Sequence, residues 1–245
     1  MILDKVKNKM HSEHYNRYIF TAGFISGKKV LDAACGEGGG SFLMSEKAKE
    51  VIGVDLRGEA IQFAKNNYKG NNVDFIVGDV TKLPFKDNFF DVAVSFETVE
   101  HISENDQKKF LAELKRVVRS DGLLIISTPD KRSWRKLGLK WDDHICELDF
   151  HEFDSLLKKY FLAKEYFKQG VIVSDVPAVK VIARYALNFI KNLDFLNLRH
   201  KIFIKEIRSN LDNLTKLVDT TPEITRLDPL KEIAVTMIAI CENKK

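Results

Sequence analysis

The stretch V-L-D-A-A-C-G-E-G-G-G, residues 30–40, decides the fold. A short apolar run ends in Asp32, small residues and glycines follow, and Ser41, Phe42, Leu43 and Met44 open a helical pattern. The segment reads as strand, glycine-rich turn and helix. Glycine at Gly36 and Gly38 lets the chain turn sharply and lets a ligand approach the main chain, because no Cβ intervenes. Phosphate cradling is disfavoured, since the glycines run into Ser41 without the lysine of a P-loop. The spacing Gly36-x-Gly38-Gly39-Gly40 also departs from G-x-G-x-x-G, and Asp32 would repel a pyrophosphate while welcoming an ammonium group. A nucleoside-like, cationic ligand is the first expectation.

Outward from this turn the pattern repeats. Residues 51–54 are an apolar run ending in Asp55, about 20 residues after the turn, where such folds place a carboxylate on a ribose diol. Residues 73–77 form a third strand that leads into Gly78, Asp79 and Val80. Successive strands in βαβ spacing thus deliver acids to one sheet edge. Helices are expected over 42–49, 59–68, 107–118 and 149–160, and further strands over 91–96, 122–127, 161–167 and 233–241. Pro84 excludes residues 81–85 from a central strand, and 131–141 is expected to be a basic, Trp-bearing loop. Leu123, Leu124, Ile125 and Ile126 suit a parallel sheet covered on both faces.

The chain has 245 residues, 44% of them hydrophobic, which is enough for one sizeable core and a single domain. A net charge of +4 is far from what a dedicated nucleic-acid binder needs, so nucleic acid is an unlikely partner. Three widely spaced cysteines without a C-x-x-C pair suit a reducing compartment. No run approaches the 18 or more apolar residues of a membrane span, so a cytoplasmic protein is expected. Residues 170–230 read as a helical, basic insertion before the last strand. Between positions 180 and 216 eight lysines and arginines face three acids, and Ile204, Ile207, Leu211, Leu214 and Val218 make one narrow apolar stripe. That stripe would pack on its own domain as a lid, with pairing to a second copy, a homodimer, as the alternative.

The segments VLDAACGEGGG, VIGVDL, FIVGDVTKLPF, FDVAVSFETVEHI and LKRVVRSDGLLIISTPD together resemble the successive motifs of class I S-adenosylmethionine-dependent methyltransferases. The resemblance is close over residues 30–130 and faint beyond 175. It implies an α/β, Rossmann-like sheet of seven strands, mostly parallel, closed by an antiparallel C-terminal hairpin. It divides the single domain 1–245 into a cofactor-covering helical segment (1–27), a cofactor-binding core (30–168), the insertion (170–230) and the last strand (233–241). The implied cofactor is S-adenosyl-L-methionine. Asp32, Ala33 and the Gly36 and Gly38 backbone would hold its methionine end, Asp55 and Leu56 the ribose, Asp79 and Val80 the adenine, with Tyr18 and Phe96 beside it. His14, Tyr15, Arg17 and Tyr18 share one face of the N-terminal helix, from which Tyr18 or Arg17 would touch the cofactor, and His14 is a candidate catalytic group.

Methyl transfer from a sulfonium is an in-line displacement, so the protein must orient the acceptor and help remove its proton. The acceptor belongs past the fourth strand, over S-F-E-T-V-E-H-I, residues 95–102. Glu97, Glu100 and His101 stand at i, i+3 and i+4, which would place all three on one face of a helical turn. Two carboxylates and an imidazole are ligands for a divalent ion such as Mg or Mn, and His144 is the candidate for one more. Such a set is similar to the metal sites of small-RNA 2′-O-methyltransferases and ubiquinone-pathway O-methyltransferases. The alternatives are His101 as a metal-free general base, with Glu100 beside it, and a purely structural role. The combination of the EHYNRY opening, SFETVEHI, ISTPD and the block His144, Glu147, Glu152, Phe153 looks like methyltransferases of bacterial surface-polysaccharide and capsule biosynthesis. That likeness suggests O-methylation of a small-molecule or glycan acceptor: a sugar, a nucleotide sugar or a related phosphorylated metabolite. Two rivals are RNA 2′-O-methylation and a non-catalytic cofactor-binding subunit.

Overall fold

The computed structural model describes residues 9–137, 143–171, 224–227 and 234–244. Helix α1 (Lys9–Ile25) precedes β1 (Lys29–Ala33), α2 (Gly39–Ser45), β2 (Glu50–Asp55), α3 (Gly58–Asn67) and β3 (Val73–Val77). Strand β4 (Phe90–Phe96) runs into a 3₁₀ turn, Val99–His101, followed by α4 (Glu104–Val117) and β5 (Val118–Pro129). Then come α5 (Lys131–Leu137), α6 (Phe150–Lys158), β6 (Leu162–Val171), β7 (Ile224–Arg226) and β8 (Ala234–Glu242).

The strands form one sheet in the order β3-β2-β1-β4-β5-β8-β6-β7. The first five are parallel, while β8 runs antiparallel between β5 and β6. The order reverses at β1 and β4, which opens a crevice at their C-terminal ends, where α/β sheets of this kind place ligands. Parallel strands need crossovers, and the crossovers put helices on both faces. Alternation along β5 shows the consequence: Leu124 and Ile126 enter the core shared with α4 and α6, whereas Ile125 enters the core shared with α1 and α2. That parity continues past the hydrophobic residues and decides where the polar side chains at the strand tips point.

Local chemistry supports these elements. Helix α4 starts at Ser103, whose side chain accepts the Asp106 amide, and buries Gln107, Phe110, Leu111, Leu114 and Val117 along one stripe. Helix α6 starts with a reciprocal box between Asp149 and Glu152.

Two expectations are corrected. Among the described residues the sheet has eight strands, because β6 extends to Val171 and pairs with β7, which falls inside the stretch read as a helical insertion. A three-residue edge strand carries too short an alternation to be seen in sequence. The rest of that insertion, with its lid and dimer readings, lies outside the described residues. The basic loop after β5 begins as helix α5. Among the described residues no helix is long and apolar enough to cross a membrane, and Cys35, Cys146 and Cys241 are free thiols.

Candidate active site

The crevice has two halves. Over β1, β2 and β3 lies the glycine-rich turn. Gly36 and Gly38 both take positive φ, +57° and +83°, as the turn requires. Their reasons differ. A Cβ on Gly38 would stand 2.5 Å from Phe75 and 2.7 Å from Ala64, so this glycine seats the turn on its own core. A Cβ on Gly36 would meet only the Arg57 guanidinium at 3.7 Å, so its backbone is the part left open to a ligand. Asp55 closes the turn: one carboxylate oxygen accepts the Gly36 amide at 2.8 Å and the other accepts the Arg57 amide at 2.9 Å. The oxygen that takes the Arg57 amide also accepts from Arg57 Nε at 3.3 Å, so the one bonded to Gly36 keeps acceptor capacity for a further hydroxyl. Leu56, next in sequence, is 70% exposed, an apolar side chain displayed at the strand end. Asp79 is exposed and caps its own turn by accepting from the Thr81 amide and hydroxyl, with half-buried Val80 between them.

Asp32 is placed differently from the expectation. It is fully buried, and its two oxygens accept from Ser41 Oγ at 2.6 Å and Tyr18 Oη at 3.3 Å. Burial pushes its carboxyl up to about 7 against the pull of those two hydroxyls. Asp32 therefore supports the turn from beneath, and direct contact with an ammonium group is not built in. Ala33 is likewise buried, with its carbonyl accepting Ser95 Oγ at 2.9 Å. Phe96 is buried edge-on against Tyr18, with ring centroids 5.0 Å apart, so these two rings form a floor. Ser41 and Arg57 complete the turn without a mark in the sequence, since a serine after glycines and an arginine after an acid carry no periodic signal.

Over β4, β5 and β6 lies the other half, where the acceptor is expected. Glu97 takes φ +52°, a conformation a glutamate adopts at a cost of order 1 kcal/mol or more. Ser127 holds it there: its carbonyl accepts the Glu97 amide at 3.2 Å and its hydroxyl donates to the Glu97 carboxylate at 2.7 Å. The 3₁₀ turn begins only at Val99. Glu97, Glu100 and His101 therefore do not share one helical face. Ser127 has the parity of Ile125 and points to the α1 face, whereas Thr128, which donates to Glu100 at 3.0 Å, has the parity of Ile126 and points to the α4 and α6 face.

On the α4 and α6 face Glu100 is 1% exposed, and its second oxygen, Oε1, is buried with no hydrogen-bond partner. Burial first and the neighbouring Glu97 charge second drive its carboxyl well above the usual range. His101 Nε2 stands 4.0 Å from that oxygen. The Asp143 carbonyl, 3.0 Å from His101 Nδ1, can only accept, so Nδ1 carries the proton and the lone pair is on Nε2. His144 donates through Nδ1 to the Glu147 carboxylate at 2.9 Å, with the same consequence. The two rings meet edge to face at 4.9 Å. The loop carrying His144 is pinned there because the Ile145 and Cys146 amides both donate to the Glu100 carbonyl, and the Gln107 amide bridges the Val99 and Cys146 carbonyls. Glu100, His101 and His144 each bring one donor atom to within 4.8 Å of the others. A carboxylate oxygen without a partner and two oriented imidazoles fit a divalent ion. Glu97, expected in this set, is absent from it.

On the α1 face Glu97 approaches Arg17 at 4.0 Å. Arg17 donates to Gln169 of β6 at 2.5 Å and to His14 Nδ1 at 2.9 Å. A guanidinium can only donate, so Nδ1 of His14 accepts and its lone pair is taken up; this histidine is arranged to orient Arg17 and not to act as a base.

Residues 31–126 match the family described as a methyltransferase domain. Over those residues the chain is similar to class I S-adenosylmethionine-dependent methyltransferases. A Mycobacterium tuberculosis protein named as a probable S-adenosylmethionine-dependent methyltransferase is 34% identical over 155 residues, covering 62% of this chain and 55% of the relative. The phthiotriol/phenolphthiotriol dimycocerosates methyltransferase of the same organism is 34% identical over 117 residues, 47% of this chain and 42% of that one. The aligned part of the chain thus spans about half the length of these relatives or less. The chain also superposes on the PH0226 protein of Pyrococcus horikoshii with TM-score 0.59 and 25% identity, over 66% of this chain and 86% of that one. The fold, and no more than the fold, is shared with the [4+2]-cyclase SpnF, at TM-score 0.63 and 16% identity over 96% of this chain and 82% of that one. None of the relatives named here is described as a capsule or polysaccharide enzyme.

Proposed function

We propose that this chain transfers a methyl group from S-adenosyl-L-methionine to a hydroxyl of a small polar acceptor, with a divalent ion, Mg or Mn, held by Glu100, His101 and His144. The observation that carries the reading is the buried, partnerless Glu100 Oε1 facing two histidines whose Nδ1 protons are already committed. The cofactor supplies a methyl group on a sulfonium, and a bound ion would lower the acceptor hydroxyl's pKa. The remaining work belongs to the chain. Asp55 and the open Gly36 backbone would receive the ribose and methionine end, and Leu56 and Val80 the adenine. Glu97 and Arg17 frame the acceptor's path from the α1 side.

The acceptor reading is a sugar, nucleotide sugar or related phosphorylated metabolite. It is supported by the polar character of this half of the crevice, where Arg17, Ser127, Thr128, Gln169 and Thr236 are all buried. A lipid-borne hydroxyl is the competing class, favoured by the relative named for phthiotriol dimycocerosates. Calorimetric titration of S-adenosylhomocysteine, then of Mn²⁺, then of nucleotide sugars into the loaded protein tests the sequence of claims. Cofactor product should bind with or without chelator, and acceptor turnover should vanish in chelator and return with added Mn²⁺. Full turnover in chelator would remove the metal from the proposal.

A further inference from the structure

We propose that Arg17 is the acceptor's anchor: it takes an anionic oxygen group, a carboxylate or a phosphate, carried by the acceptor beside the hydroxyl to be methylated. This rests on the methyltransferase reading above. Arg17 is 5% exposed, yet its hydrogen bonds go to neutral groups, the Gln169 amide oxygen and the His14 ring. Its Nε is buried and has no partner. The carboxylate in range, Glu97, stands at 4.0 Å, too far for a hydrogen bond, and its near oxygen already accepts from Ser127. A buried guanidinium is costly unless an anion pairs with it directly. The fold goes to some length to keep this one: His14 and Gln169 fix two of its nitrogens from α1 and β6, and a strained Glu97 is held just short of contact. The unmet donor is what a forked, bidentate partner would use.

Topology places the anchor on the acceptor side. Arg17 reaches β6 and the tip of β4, strands on the opposite side of the switch point from β2 and β3, where Asp55, Leu56 and Asp79 stand. Glu97, which Arg17 approaches, stands three residues before Glu100 at the tip of β4, so the anchor and the candidate metal set flank the same sheet edge. An acceptor that lays its hydroxyl over Glu100, His101 and His144 would cross that edge and bring a neighbouring substituent to Arg17.

The test uses the full chain saturated with S-adenosylhomocysteine and three probes: glucose 6-phosphate, glucuronate and glucose. At least one charged probe should bind about tenfold or more tighter than glucose, and the phosphate and carboxylate arms tell the two anion sources apart. Arg17→Gln should erase that preference and Arg17→Lys should restore part of it, both with unchanged affinity for S-adenosylhomocysteine. Equal binding of charged and neutral probes by the unmodified protein, or no binding of either charged probe, overturns the proposal even where Arg17→Gln fails to fold. Loss of S-adenosylhomocysteine affinity in Arg17→Lys assigns the residue to the cofactor and also overturns it. Failure of the unmodified protein to bind S-adenosylhomocysteine would instead remove the underlying methyltransferase reading.

Discussion

Glu97 and Glu100 are three residues apart at the end of β4, and the sheet sends them to opposite faces. Glu97 is partly buried, bound to Ser127 and drawn toward Arg17, with a backbone at positive φ. Glu100 is buried, bound to Thr128, and joined to His101 and His144. The difference is set by one step of strand parity in β5, since consecutive residues Ser127 and Thr128 each collect one acid. Two carboxylates that a helical turn would have merged into one ligand set become parts of two sites with different chemistry. One faces a guanidinium 4.0 Å away and the other faces a pair of imidazoles.

The largest effect expected from breaking this division is at Glu100. Glu100→Gln should abolish measurable Mn²⁺ binding and lower kcat by about 10³-fold if the ion activates the acceptor, while Glu97→Gln should leave Mn²⁺ affinity within about threefold. Similar losses of metal in the two variants would show that the acids form one site after all. Next in size is a contrast with Asp32, another buried acid, but one whose two oxygens are both satisfied. Its carboxyl is raised from 3.8 to about 7, so the folded state holds a proton that the unfolded state releases sooner. Its contribution to stability is present below pH 4 and is lost as pH rises toward 7, by up to about 4 kcal/mol at 1.36 kcal/mol per unit. Urea unfolding across that range should fall more steeply for the unmodified protein than for Asp32→Asn, with no dependence on Mn²⁺ in the difference; parallel curves would refute the burial argument. The smallest expected effect separates the two hydroxyls. Thr128→Ala removes the hydrogen bond that aims Glu100 and should weaken Mn²⁺ about tenfold. Ser127→Ala should cost about 1 kcal/mol in urea unfolding and leave Mn²⁺ affinity unmoved. Equal metal effects at both positions would dissolve the comparison at its root.

Much of the cofactor half is legible from residue order, because glycine, acid and apolar run occur at fixed distances along the chain and each has a local physical meaning. Positive φ at Gly36 and Gly38 follows from the turn. The role of Asp32 does not, since its partners Tyr18 and Ser41 come from two different helices. In the acceptor half the pair Glu100 and His101 is visible as neighbours, and His144 is reached by reasoning about where its loop must end. Glu97 is misplaced by the same reasoning, because i, i+3 spacing implies one face only when the backbone is helical throughout, and here the 3₁₀ turn starts two residues later. The anchor at Arg17 depends on Gln169, 152 positions away, and no spacing rule connects them.

The sequence by itself determined the order of strands and helices from β1 to β5, the crevice at their C-terminal ends and the acids at the strand tips, because hydrophobic period and turn chemistry act over a few residues. Only the tertiary structure decided which buried oxygen was left without a partner, which histidine nitrogens kept their lone pairs, and which side of the sheet each glutamate joined. Those outcomes depend on register between strands that are distant in the chain, and register is a property of the packed sheet.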